Sequence, residues 1–157
     1  MKKILKHNIN YKEVAKGLGI SEELVIKFFN DGRIIGRLGE FILEDKKVGK
    51  RSDNEGTSYD NITEDDKYLE VRSITNRLSF APSKETGYGR TVTEEGFSDK
   101  LNAVDSFIAI DFKDNPSELE FYKIPSVDVR RWSDEGFIGK GKAVSRNKIL
   151  SKINESS

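Results

Sequence analysis

A mixed β-sheet flanked by helices, the α/β class, is the fold this sequence predicts, and three observations predict it. Short runs rich in β-branched and aromatic residues, 67–75, 106–112 and 118–124, are bounded by turn residues and read as strands. Other segments, above all 32–48, place apolar residues at helical spacing. The two kinds alternate along a chain of 157 residues, the usual size of one domain, so a single layered core of sheet and helices follows.

From the N-terminus, residues 11–33 divide into two helices about Gly17-Leu18-Gly19-Ile20. Ser21 caps the second, and Glu22 and Glu23 fall in its first turn, where the helix dipole favours acids. Residues 1–31 are thus expected to form an N-terminal helical hairpin. Ala15, Gly19, Val25 and Phe28 have the spacing of a helix-turn-helix, and a plain hairpin fits them equally. His7 is expected at the surface near a mobile N-terminus.

Residues 32–157 make the main unit. Ile34, Ile35, Leu38, Phe41, Ile42 and Val48 predict a helix over 32–48 that carries Glu40 near its middle, and Gly36 and Gly39 are placed to let a neighbouring element come close. The turn-rich stretch 49–56 is expected to be a loop. Residues 57–63 and 67–75, separated by Glu64-Asp65-Asp66, predict a β-hairpin. A short strand at 79–81, a glycine-rich loop at 84–90 and a helix over 93–104 follow, then the strand 106–112. A turn at Asp114-Asn115-Pro116 leads into the strand 118–124, and helices at 127–132 and 144–153 complete the chain.

Composition narrows the chemistry. There is no Cys, which removes disulfides, zinc thiolates and thiol nucleophiles. The one His, His7, excludes metal chemistry built on several histidines, so catalysis must rest on carboxylates, Lys, Arg or hydroxyls. No apolar run approaches the roughly 20 residues that span a bilayer, and no signal-peptide core follows Met1, so a cytoplasmic protein without a membrane partner is expected. Net charge is zero but unevenly spread. Residues 40–70 hold ten acids against five cations, and residues 123–152 hold eight cations against three acids.

If Glu64-Asp65-Asp66 is the hairpin turn, Asp60 lies opposite Glu70 on one face, with Arg72 two residues further along it. Directly opposed like charges destabilise a strand pair unless something offsets them. A divalent cation held by two carboxylates does so, and Mg²⁺ prefers such oxygen ligands. A solvated strand face with incidental acids, Arg72 neutralising one of them, is the competing reading.

Tyr59-Asp60, nine intervening residues and then Glu70-Val71-Arg72, with an upstream helical acid in Gly36-Arg37-Leu38-Gly39-Glu40, resemble the motif of the PD-(D/E)XK nuclease superfamily. The order of helix, three antiparallel strands, helix and strand from Gly32 to Phe112 resembles that superfamily's common core. The resemblance implies a restriction-endonuclease-like core, with Asp60 and Glu70 as Mg²⁺ ligands and Glu40 as an auxiliary acid. Tyr59 stands where the family usually has Pro, and Arg72 where it has Lys. Arg is effectively never deprotonated, so Arg72 cannot act as a general base; it can orient water and stabilise the phosphate in the transition state.

The implied function is site-specific hydrolysis of double-stranded DNA by a homodimer of the type II restriction enzyme kind. Lys84, Tyr88 and Arg90 in the glycine-rich loop and Lys140, Lys142 and Arg146 in the basic end are the expected DNA contacts. Alternatives are a homing endonuclease, a degenerate relative that binds DNA or a partner subunit without cutting, and a helix-turn-helix regulator whose second half only dimerises.

Overall fold

The structure, a computed structural model, describes residues 1–54, 56–153 and 155. Glu55, one of the acids of the acidic centre, lies outside the described residues. The chain order is β1 (Lys2–Asn8), α1 (Tyr11–Leu18), α2 (Glu22–Phe29), α3 (Gly32–Asp45), β2 (Lys50–Arg51), β3 (Asn61–Ile62), β4 (Tyr68–Ile74) and β5 (Arg77–Ser79). A 3₁₀ turn at Ser83–Glu85 leads to α4 (Glu94–Ala103), β6 (Ser106–Asp111), β7 (Glu118–Pro125), α5 (Ser126–Asp134), β8 (Ala143–Ser145) and α6 (Arg146–Leu150).

Six strands form one mixed sheet in the order β1-β7-β6-β4-β3-β2, and β5 and β8 pair separately. Strands β2, β3 and β4 are successive antiparallel neighbours, whereas β4 and β6 are parallel. A parallel pair needs a crossover, and the segment that contains α4 makes it. The fold is therefore mixed α/β, with helices on both faces of the sheet.

Strand β6 shows why both faces are covered. Phe107 and Ala109 join a core with Phe97 and Leu101 of α4 and Val129 and Trp132 of α5, while Ile108 and Ile110 join a second core with Ile35, Ile42 and Leu43 of α3. Alternate residues of a strand point to opposite faces, so an unbroken apolar run needs two cores. On β4, Leu69 and Val71 face α3, which turns Glu70 and Arg72 to the α4 side. Helix α3 lies close because Gly39 carries no side chain: a Cβ there would overlap Ile110. Gly36 faces open space, so only one of the two glycines serves the close approach.

Several boundaries differ from expectation, each for a local reason. Residues 2–8 form an edge strand, with His7 opposite Leu119, so the N-terminal stretch is tied to the sheet. The helix predicted to Val48 ends at Asp45, where Lys47 takes a left-handed φ of 57° and the amides of Val48 and Gly49 turn back to Leu43. Within the expected loop 49–56, Lys50 and Arg51 pair with Ile62 and Asn61. The short strand expected at 79–81 falls at Arg77–Ser79, and Phe80 continues its direction by donating to the Lys142 carbonyl at 2.8 Å. The last helix is split, because Val144 pairs with Leu78 in β8 and buries there; only 146–150 is α-helical.

Helices α1 and α2 pack through Tyr11, Ala15 and Val25, with Gly19 in the left-handed region at the turn. Asn10 and Ser21 cap them, each side chain accepting an amide hydrogen bond. Of the residues with helix-turn-helix spacing, Val25 is buried and Phe28 is 57 % exposed.

Candidate active site

The hairpin that carries Asp60 and Glu70 has the register read from the sequence: Asn61 lies opposite Leu69 and Ile62 opposite Tyr68. Its turn is closed by Thr63, which donates to Lys67 O and accepts from Asp66 N, with Asp66 in the left-handed region at φ 59°. Asp60 sits one residue beyond the short strand β3. Its amide donates to Leu69 O at 2.9 Å, and its Oδ2 accepts from the Val71 amide at 2.7 Å. The other oxygen of Asp60 accepts no hydrogen bond among the described residues.

Burial and the nearby Glu70 carboxylate push the Asp60 carboxyl up to about 6, with the Val71 amide and Arg72 pulling the other way. Glu40, on α3, is raised as well, chiefly by burial and against the pull of Arg37 and Arg51. Glu40 bonds Arg37 at 2.7 Å and lies 3.8 Å from Arg51. Its backbone carbonyl accepts from the side chain of Asn61, which also donates to Gly49 O and so ties α3 to the hairpin.

Glu70 is almost fully enclosed and holds a cation on each oxygen. Arg72 donates to Oε1 at 2.8 Å, as same-face neighbours on a strand allow. Lys100, from the inner side of α4, donates to Oε2 at 3.0 Å and to the Ser58 carbonyl at 3.0 Å. Lys100 is not among the residues expected from the sequence to form the site. Its signal was present: three residues after Phe97 and one before Leu101, both buried, it is a lysine on the inward stripe of a helix.

Asp60 forms part of the wall between two clefts. One, of about 630 Å³, is lined by Asp60, Glu70, Lys100, Asp99, Ser83 and Lys84, among others. The other, of about 520 Å³, runs from Asp60 past Glu40 to Arg37 and Arg51. Arg72 lines neither of these two clefts.

The donor set fits a hard divalent cation. Asp60 offers an unbonded oxygen, and a carboxylate has about four lone-pair sites, so Glu70 keeps acceptor capacity beside its two cations. No group of three or more His, Asp or Glu converges among the described residues. Two carboxylates with the remaining positions taken by water and substrate oxygens is a usual arrangement for Mg²⁺.

The expected DNA contacts fall into two groups. Lys84 lines the larger cleft, Tyr88 is fully exposed, and Arg90 curls back to the carbonyls of Ser83 and Thr86 at 3.4 Å. Lys140 is exposed. Lys142 and Arg146, by contrast, point inward. Lys142 meets Glu94 at 2.7 Å and Ser133 at 3.1 Å and lies over the Phe97 ring. Arg146 grips Asp111 through two hydrogen bonds, 3.0 and 2.9 Å, and Asp114 at 2.8 Å. Their basic charge, read from the sequence as a surface for phosphate, is matched from within because carboxylates 32 and more residues away fold against it. Compared with protein-family models and with curated proteins, the chain matches none.

Proposed function

We propose that the chain is a Mg²⁺-dependent endonuclease of the PD-(D/E)XK type that hydrolyses phosphodiester bonds of double-stranded DNA. The observation that carries this reading is the grouping of Asp60, Glu70 and Lys100 on one cleft wall, with the Asp60 carboxyl pushed up to about 6. Burial beside a second carboxylate disfavours the Asp60 charge, and a bound cation would relieve it. The antiparallel β2-β3-β4 meander, the crossover through α4 and the parallel strand β6 also support a restriction-endonuclease-like core.

Asp60 and Glu70 would hold the cation, which supplies charge neutralisation at the phosphate and a nucleophile at neutral pH. Lys100 takes the part that the family gives to the lysine two residues after the glutamate. With two donors engaged by Glu70 and Ser58, its third is free to orient the attacking water or to bond a phosphate oxygen as charge develops there. Arg72 acts as a positioning residue that fixes Glu70. Lys84, with Tyr88, Arg90 and Lys140, supplies the outer contacts to DNA, and a homodimer provides one site for each strand.

A non-cleaving relative is the second reading, favoured by the same two cations on Glu70, which already balance its charge. Plasmid DNA incubated with the protein and Mg²⁺ or Mn²⁺ separates them. Nicked or linear product made by wild type and not by Asp60→Asn supports the nuclease; intact plasmid with both metals supports the second reading.

A further inference from the structure

The smaller cleft contains an arginine, Arg51, whose guanidinium makes no hydrogen bond among the described residues. Arg51 stacks on the ring of Phe41 with its guanidinium carbon 3.7 Å from the ring centroid, and Arg37 approaches the same ring at 5.4 Å. The Nε of Arg51 is buried and makes no hydrogen bond among the described residues. Its nearest acid, Glu40, stands at 3.8 Å, beyond hydrogen-bond reach, because Glu40 bonds Arg37 at 2.7 Å instead. Asp53, on the same rim, is matched by Lys50 at 3.6 Å.

A buried donor on a guanidinium that no protein group bonds costs free energy unless a ligand or a water completes it. Close contact with the ring restrains the guanidinium and so removes part of the entropy lost on binding, and a planar fork suits the paired oxygens of a phosphate. Phe41, at 47 % exposure, keeps an open aromatic edge beside the fork.

We infer that Arg51, held over the Phe41 ring with Arg37 alongside, binds a phosphate of a nucleic-acid strand next to the one that reaches Asp60. The inference deepens the nuclease reading and rests on it for the path of the strand, since Asp60 belongs to the walls of both clefts. It gives α3 a second task. Besides presenting Glu40, it carries the platform of Arg37 and Phe41, one turn of helix apart, on which Arg51 of β2 is laid.

The test reads the arginine itself. In EDTA, the Nε–Hε resonance of Arg51 in the wild-type protein is followed during titration with thymidine 3′,5′-bisphosphate, with thymidine and with inorganic phosphate. A saturable shift with the bisphosphate and none with thymidine is expected. In parallel, the affinity of a fluorescent duplex is measured across salt concentrations, again in EDTA. Arg51→Ala should weaken binding about tenfold and lower the salt slope by about one phosphate contact. Arg51→Lys, which keeps charge without the fork, should fall between. An Arg51 resonance unmoved by the bisphosphate, or an unchanged affinity and slope for a folded Arg51→Ala, overturns the inference. Equal shifts with inorganic phosphate and bisphosphate, with duplex binding unaffected by Arg51→Ala, would make the ligand a free phosphate and overturn the nucleic-acid assignment. A wild type that binds duplex through Arg51 yet never cuts it sinks the nuclease and leaves this site standing; one that cuts with an Arg51-independent salt slope does the reverse.

Discussion

Two of the ion-pair networks in this molecule, one around Glu70 and one around Arg146, differ in what they leave over. Around Arg146, Asp111 and Asp114 receive the guanidinium through three hydrogen bonds, and its proton is held more tightly than in water. Around Glu70, Arg72 and Lys100 satisfy one carboxylate, while Asp60 is left with a free oxygen, a raised proton affinity and a cleft in front of it. The first network is complete and ties α6 to the end of β6. The second is incomplete without a ligand. Local excess of charge in the sequence marks both regions, and the two differ in the unmatched remainder at Asp60.

The sharpest way to break that comparison is to remove the unmatched group. Asp60→Ala, like Glu70→Ala, should lower DNA cleavage by at least about a thousandfold while duplex binding in EDTA survives, as read by single-turnover assay and by anisotropy. Cleavage at the wild-type rate would take the site away from these carboxylates. Next in size is Lys100→Ala, for which a loss on the order of 10²–10³ in single-turnover rate is expected, the range for one well-aimed donor. Arg72→Lys should keep most activity, and Arg72→Ala should lose less than Lys100→Ala, because Arg72 acts through Glu70. The opposite ranking would return the direct role to Arg72.

Arg146→Ala tests the other side of the comparison. Removing one partner of a pair that is mostly enclosed leaves Asp111 uncompensated, and a destabilisation of about 3–5 kcal/mol is expected in urea unfolding. The salt slope of DNA binding in the folded variant should not change. A stable variant with weakened DNA binding would restore Arg146 as a phosphate contact.

The smallest effect concerns pH. Because the Asp60 carboxyl titrates near 6 in the fold and near 3.8 when exposed, the native state holds the extra proton between those values. Its contribution therefore makes stability fall as pH rises from about 4 through about 6 and then level off, by on the order of 2–3 kcal/mol. Asp60→Asn should remove that decline and raise the melting temperature at pH 7.5 by about 5–10 °C, with no gain below pH 4. Added Mn²⁺ or Mg²⁺ should raise the wild-type melting temperature and leave Asp60→Asn unmoved. A pH-independent difference between the two proteins would mean that Asp60 is not under this pressure.

What could be read from the sequence was what neighbouring residues decide. The register that brings Asp60 to Glu70 follows from a short turn and a period of two, and the helix of Glu40 from a broad apolar stripe. What could not be read depends on distant partners. The inward stripe of α4 marks Lys100 as a buried-side lysine, but its meeting with Glu70 across 30 residues and a parallel crossover is recorded in no local pattern. Arg146 and Asp111 meet across 35 residues, so a cation that the local sequence leaves open to phosphate is already paired. Strand β1 has three lysines in seven residues, a usual trait of an exposed edge that is also the signature of an ordinary polar tail.

The most direct test of the account is the thermodynamic and chemical response of Asp60 and its neighbours to a divalent cation in the presence of DNA. Wild type, Asp60→Asn and Lys100→Ala are incubated with supercoiled plasmid and either Mg²⁺ or Mn²⁺, and the ends of any product are sequenced. The account predicts cut DNA from wild type, none from Asp60→Asn, and a trace from Lys100→Ala. Intact plasmid from wild type with both metals, or cutting by Asp60→Asn at the wild-type rate, would contradict it.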